Sequence, residues 1–204
     1  MTVPSVVVFD LGKVLVDFDY SIAAKKIAAQ GKISAPDVRK LLDHSPLLFR
    51  YETGLMTTKE LFAEVCDKAG FRGSFDEFSK YFADIFWEIP AMIRWHASLR
   101  ARGIPTFIFS NTNELAVPHI RQHFPFFQNF DGYIFSYEIG AMKPQAKIYE
   151  ALEDMTGRSS SEIFYLDDRA ENIAAGAARG WQTIVHETPE KSFERIRHVG
   201  LPLE

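Results

Sequence analysis

Apolar residues follow two rhythms along this chain. Five short runs, residues 5–10, 105–110, 132–136, 163–167 and 182–186, are almost continuously apolar. Runs of that kind suit strands buried on both faces, as in a parallel sheet flanked by helices. Between the last four runs the pattern turns helical, over residues 113–124, 144–156 and 170–179, and Gly180 follows the third of these segments as a glycine often follows a last helical turn. Strand–helix alternation predicts an α/β fold with a doubly wound parallel sheet.

The first interval breaks the alternation. About 94 residues separate the first two runs, far more than one crossover helix needs. They read as helices over 20–29, 36–43, 58–69, 75–86 and 91–102. Thr57 with Glu60 and Ser74 with Glu77 have capping-box spacing. The last helix leads into the second strand and belongs with the sheet. The others predict a helical cap inserted after the first strand, with residues 1–17 and 87–204 forming the core domain and 18–86 the cap domain. An insertion there sits over the carboxyl edge of the sheet, where ligands bind in such folds. There is no internal repeat or low-complexity linker.

Composition narrows the function classes. With 204 residues, a net charge of −4 and 25% charged residues, the chain has no basic excess for nucleic acid. A local cluster can still bind a phosphorylated small molecule. The single cysteine, Cys66, lies in a helical run and is expected to pack. No internal disulfide is possible, no leader peptide is legible, and no run reaches the length of a membrane span. The expectation is a cytoplasmic protein with no nucleic-acid or membrane partner. No feature of the pattern specifies an oligomeric state.

The chemistry collects at the strand ends. The first run delivers Asp10, the second Ser110 and Asn111, and the fourth Asp167 and Asp168; Lys143 follows the third. Parallel strands end at one edge, so these groups are expected to converge. Close carboxylates favour a hard divalent cation, Mg²⁺ above all. Lysine, serine and asparagine supply donors for phosphate oxygens. An aspartate beside them can attack phosphorus.

In order, "VVVFDLGKVL", "FIFSN", "KP" and "FYLDDRAEN" resemble the motifs of the haloacid dehalogenase-like hydrolase superfamily, mostly Mg²⁺-dependent phosphatases. The likeness covers nearly the whole chain. Within that superfamily "YETGLMTTKELF" and "GAMKPQAKIYE" are similar to bacterial phosphatases of sugar phosphates such as α-glucose 1-phosphate, and to the phosphatase domain of soluble epoxide hydrolases. The resemblance implies a Rossmann-like core. It implies Asp10 as nucleophile and metal ligand, the Gly12 carbonyl as a second ligand and Asp168 as the acidic ligand, with Asp167 and Asn172 in support. Ser110, Asn111 and Lys143 would bind phosphate, Lys143 also meeting the nucleophile. Arg50 and Glu52 in the cap would face the site and choose the leaving group. The implied function is hydrolysis of a small phosphate monoester through an aspartyl-phosphate.

One position departs from the pattern. Most phosphatases of the superfamily carry a second aspartate two residues after the nucleophile, as the acid–base group; here it is Gly12. Such a group contributes about 10²–10⁴-fold. Its absence predicts a steep preference for good leaving groups, unless Asp17, Asp19, Glu52 or water carries the proton. Two other readings follow: a binding protein that holds a phosphorylated ligand without turnover, and a 2-haloacid dehalogenase, which would not require Asp167 and Asp168. His96, His186 and the phenylalanines 124, 126, 127 and 130 are read as packing.

Overall fold

The computed structural model describes residues 3–203. Seven strands are present among them: β1 (Val6–Phe9), β2 (Val16–Phe18), β3 (Phe86–Glu88), β4 (Thr106–Ser110), β5 (Gly132–Phe135), β6 (Ile163–Asp167) and β7 (Gln182–Val185). Five form a parallel sheet in the order β5-β4-β1-β6-β7. The strand order reverses beside β1, so the crevice at its carboxyl end is the natural ligand position of the fold.

The continuous apolar runs have a simple cause. Successive side chains of a strand point to opposite faces, and both faces here are covered. Val7 and Phe9 join Trp95, Leu99 and Ile196 in one core; Val6 and Val8 join Ile148, Leu152 and Trp181 in another. The first cover includes α6 (Pro90–Ala101), α7 (Ala116–His123) and α11 (Pro189–Ile196). The second includes α9 (Ala146–Thr156) and α10 (Ala170–Ala178), with the single-turn α8 (Ser136–Ile139) alongside. Phe126, Phe127 and Phe130 are buried in the first core, as expected of packing residues.

A third core is built from the chain segment that connects β2 to β3. Tyr20, Ile27, Val38, Leu48, Tyr51, Leu61, Val65, Phe78 and Phe82 meet there. They come from α1 (Tyr20–Ala28), α2 (Ala35–Leu42), α3 (Pro46–Glu52), α4 (Thr58–Ala69) and α5 (Phe75–Ala83). Both capping boxes form, at Thr57–Glu60 and Ser74–Glu77. Cys66 is half-buried against this core.

Several boundaries differ from the sequence reading. The helix expected over 75–86 stops at Ala83, because Phe86–Glu88 pairs antiparallel with Val16–Phe18. Three residues are too few for a period of two to show. The helix expected from 113 begins at Ala116, because Asn113 Oδ1 accepts the Leu115 and Ala116 N–H groups as a cap. The short helix α3 was not expected, although Ser45 and Pro46 are the signals of its start. No helix of the described residues is long and apolar enough to cross a membrane.

His96 packs as expected: its ring stacks on Phe130 at 3.9 Å and its Nε2 pairs with Thr106 Oγ1 at 3.1 Å. Burial, helped by the nearby Arg100 charge, lowers its pKa from 6.5 to about 4. The unfolded chain therefore binds the extra proton first as pH falls, and stability drops between pH 6.5 and 4. The full loss is roughly 3–4 kcal/mol at about 1.4 kcal/mol per unit. Thermal melts of wild type and His96→Gln at pH 7 and 4 check this; the variant should lose less, and equal losses would exclude His96.

Candidate active site

A cavity of about 260 Å³ opens at the carboxyl end of the sheet, between the strand ends and the helices of the third core. It is smaller than most drug-sized pockets, which begin near roughly 300 Å³. Asp10, Gly12, Asn111, Lys143, Asp168 and Asn172 line its floor, and Tyr20, Arg39, Asp43, His44, Leu48 and Glu52 line the opposite wall.

The floor is organised around one buried ammonium. Lys143 Nζ reaches the Phe109 carbonyl at 2.7 Å, Asp167 Oδ2 at 2.6 Å and Asp10 Oδ1 at 3.0 Å. All three of its donors are thereby used. Burial would strip the proton, yet the two carboxylates outweigh burial and leave the Lys143 pKa raised. Asn111 fixes the same residue from the backbone. Its Nδ2 donates to the Lys143 carbonyl at 3.0 Å and its Oδ1 accepts the Lys143 N–H at 2.8 Å. The Asn111 side chain is thus a clamp on Lys143.

Asp167 is saturated. Besides Lys143 it accepts Tyr165 Oη, the Arg169 N–H at 2.8 Å, and Asn172 Nδ2 at 3.0 and 3.1 Å. Burial pushes its pKa up, but Lys143 and these donors hold it below the ordinary value. Asp168 instead lines the cavity, its pKa raised by burial and then by the Asp167 charge. Burial lifts Asp10 well above the usual carboxylate range, with Lys143 opposing and Asp167 and Asp168 adding. Three carboxylates against one lysine leave the floor negative.

That floor suits a hard cation. Asp10, Asp167 and Asp168 each offer an oxygen within 4.8 Å of the others. Asn172 Oδ1, also buried, has no partner among the described residues. Oxygen donors with excess negative charge are what Mg²⁺ takes.

Gly12 is more than a missing carboxylate. A Cβ there would lie 2.9 Å from Phe18 Cε1. The Phe18 ring fills the space a side chain would need, and Lys13 Nζ sits 4.6 Å from the ring centre.

Other expected residues divide. Ser110 is buried at the end of β4, but its Oγ donates to the Asn111 carbonyl at 3.3 Å and it does not line the cavity. Glu52 lines the cavity; Arg50 does not, which corrects the expectation that both face the site. Residues two apart on a helix point about 200° apart, and Arg50 is exposed on the far side of α3. Asp17 is drawn to Lys13 and is not in the cavity wall. His186 is buried against Ser192 at 2.8 Å. Sequence reasoning missed Tyr165, although a period of two puts it on the Asp167 face of β6. It also missed Arg39, Asp43, His44 and Arg169, which carry no motif spacing.

The family pattern of haloacid dehalogenase-like hydrolases matches residues 4–180. The chain belongs to this family. It is 26% identical over 191 residues to the D-ribitol-5-phosphate phosphatase of Bacteroides thetaiotaomicron, covering 89% of this chain and 91% of that one. It is 25% identical over 219 residues to mouse acyl-CoA dehydrogenase family member 10, covering 96% of this chain but 20% of that protein, so it spans about a fifth of that relative's length. A haloacid dehalogenase-family enzyme from B. thetaiotaomicron has the same fold, with a TM-score of 0.84 at 19% identity over 96% of this chain and 99% of that one. In its complex with magnesium and inorganic phosphate the TM-score is 0.76, over 88% and 92%. The first motif of the family thus carries glycine at position 12 in this hydrolase.

Proposed function

We propose that this hydrolase is a Mg²⁺-dependent phosphatase of a small phosphate monoester, a sugar or polyol phosphate being the class its cavity size suits. The carrying observation is the Asp10–Lys143–Asp167 triad with Asp168 beside it, on the floor of a cavity of about 260 Å³. The likeness to a polyol-phosphate phosphatase supports the same class.

In this reading Asp10 is the nucleophile. Its carboxylate forms a bond to phosphorus as the ester oxygen departs, giving an aspartyl-phosphate that water then hydrolyses. Asp10, the Gly12 carbonyl and Asp168 would hold Mg²⁺, which supplies charge neutralisation for the phosphoryl oxygens. Lys143 turns one donor from Asp10 to the phosphate, while its bonds to Asp167 and the Phe109 carbonyl keep the ammonium in place. Asp167, held by Tyr165, Asn172 and the Arg169 N–H, keeps Lys143 charged. Phosphate contact at Ser110 and Asn111 falls to their backbone, since both side chains are bonded internally. The segment 18–86 acts as a cap that closes the cavity over the leaving group. A dehalogenase has no use for the negative floor around Asp168, which favours the phosphatase.

The test is phosphate release from sugar, polyol, nucleotide and aryl phosphates, with Mg²⁺ and with chelator. Metal-dependent release from at least one ester is expected; none from any would overturn the reading. Asp168→Ala should raise the Mg²⁺ concentration needed for half-maximal rate at least about tenfold, and an unchanged requirement would remove Asp168 from the metal site.

A further inference from the structure

The cavity holds three carboxyl groups that the mechanism above leaves unused. Its lining carboxylates, among the described residues, are Asp10, Asp19, Asp43, Glu52 and Asp168. Asp10 and Asp168 belong to the floor. Asp19 caps α1, accepting the Ser21 N–H at 2.8 Å and the Ser21 hydroxyl at 2.5 Å, and these bonds keep it a weak base. Asp43 is ion-paired with Arg39 at 3.2 Å and faces His44 at 3.5 Å. Glu52 is the one left with no place in the floor, in a helix cap or in an ion pair among the described residues.

Glu52 is also well anchored. It ends α3, where helix carbonyls disfavour a negative charge. Its own carbonyl accepts the Ser136 hydroxyl at 2.5 Å, which ties the cap to the start of α8 after β5. Two residues on, Gly54 takes a φ of +73° against the Tyr137 carbonyl, where no side chain fits. The Asn113 carboxamide, which caps α7 with its oxygen, lies close enough to the Glu52 carboxyl to favour its charged form. So Glu52 is fixed between cap and core, in the wall opposite Gly12.

We propose that Glu52 is the proton donor to the departing ester oxygen, and then the base for the attacking water, in place of a carboxylate at position 12. This rests on the phosphatase reading. As Asp10 bonds to phosphorus and the phosphorus–oxygen bond to the leaving group breaks, that oxygen takes the Glu52 proton and departs as an alcohol. The resulting Glu52 carboxylate takes a proton from water as the water oxygen attacks phosphorus. Inorganic phosphate leaves, Asp10 regains its carboxylate and Glu52 its proton. Burial raises the Glu52 pKa from 4.5 to about 8; Asp43 adds to this, and Arg169, the Asn113 carboxamide and Lys143 oppose it. At neutral pH the group therefore carries the proton it must give. Arg39, His44, Lys13 and Tyr20 are the other charged or titratable groups of the cavity.

The proposal reverses the steep leaving-group dependence expected from Gly12 alone. Wild type should hydrolyse alkyl phosphates with a shallow dependence of log(kcat/KM) on leaving-group pKa. Glu52→Gln should lose about 10²–10³-fold on the best alkyl phosphate of the panel, and at least tenfold less on p-nitrophenyl phosphate. The alkaline limb of the wild-type profile, near pH 8, should vanish in the variant. A readout independent of turnover is stability. The unfolded carboxyl ionises near 4.5 and the folded one near 8, so wild type loses stability as pH rises between them. The Tm advantage of Glu52→Gln should widen from pH 4.5 to 8. Equal losses on both esters, a wild type active on aryl but on no alkyl phosphate, or a constant Tm difference would each overturn the assignment of Glu52 alone. A wild type that releases phosphate from no ester would overturn the phosphatase reading and this proposal with it.

Discussion

Asp10→Asn should abolish turnover and raise, not lower, the unfolding temperature. The substitution is nearly isosteric, and a carboxamide oxygen can still accept the Leu11 N–H, now at 2.7 Å, and the Lys143 ammonium. What it removes is a buried charge that burial disfavours and that Asp167 and Asp168 repel. In the absence of metal the folded state is therefore better off without it, a common cost of a functional charge. The same charge is the nucleophile, so kcat should fall by at least ~10³-fold. Phosphate release and thermal melts without Mg²⁺ check both halves. Retention of more than a few per cent of activity would count against attack by Asp10.

Lys143→Met should produce the largest loss of stability of any single change in the site. The ammonium is the only cation bonded to Asp10 or Asp167 among the described residues, and it satisfies the Phe109 carbonyl as well. Removing one member of a buried ionic network leaves the others unpaired, at about 3–5 kcal/mol. For a chain of this size that is a fall in Tm of roughly 6–20 °C. The pH dependence should also change sign. In wild type Asp167 is held below its ordinary pKa, so its contribution is present at neutral pH and is lost as pH falls. Without Lys143, burial dominates and raises Asp167, so the variant should regain stability as acid protonates it. Melts of both proteins from pH 4 to 7 are the measurement. Parallel profiles would mean that Lys143 does not govern Asp167.

The floor of the site was legible because the fold puts it there. Asp10, Ser110 and Asp167 each follow or end an apolar run, and a parallel sheet brings such residues to one edge without any further information. Lys143 and Asn172 came from the same motifs. The wall was not legible. Whether Arg50 or Glu52 faces the cavity depends on the phase of α3, a seven-residue helix too short to show a period. Ser110 and Asn111 were recognised by residue type, but their bonds to the Asn111 carbonyl and to Lys143 depend on rotamers that a sequence does not carry. The ribbon of β2 and β3 escaped for its length, although it carries Phe18 to the space beside Gly12.

The chemistry proposed for this family member turns on one covalent bond. Acid quench during turnover with Mg²⁺, followed by borohydride reduction and mass spectrometry of the peptide that contains residue 10, reads it directly. The account predicts conversion of Asp10 to homoserine, the reduction product of an acyl phosphate, in wild type and none in Asp10→Asn. Turnover without that product, or the product at another carboxylate, would contradict it.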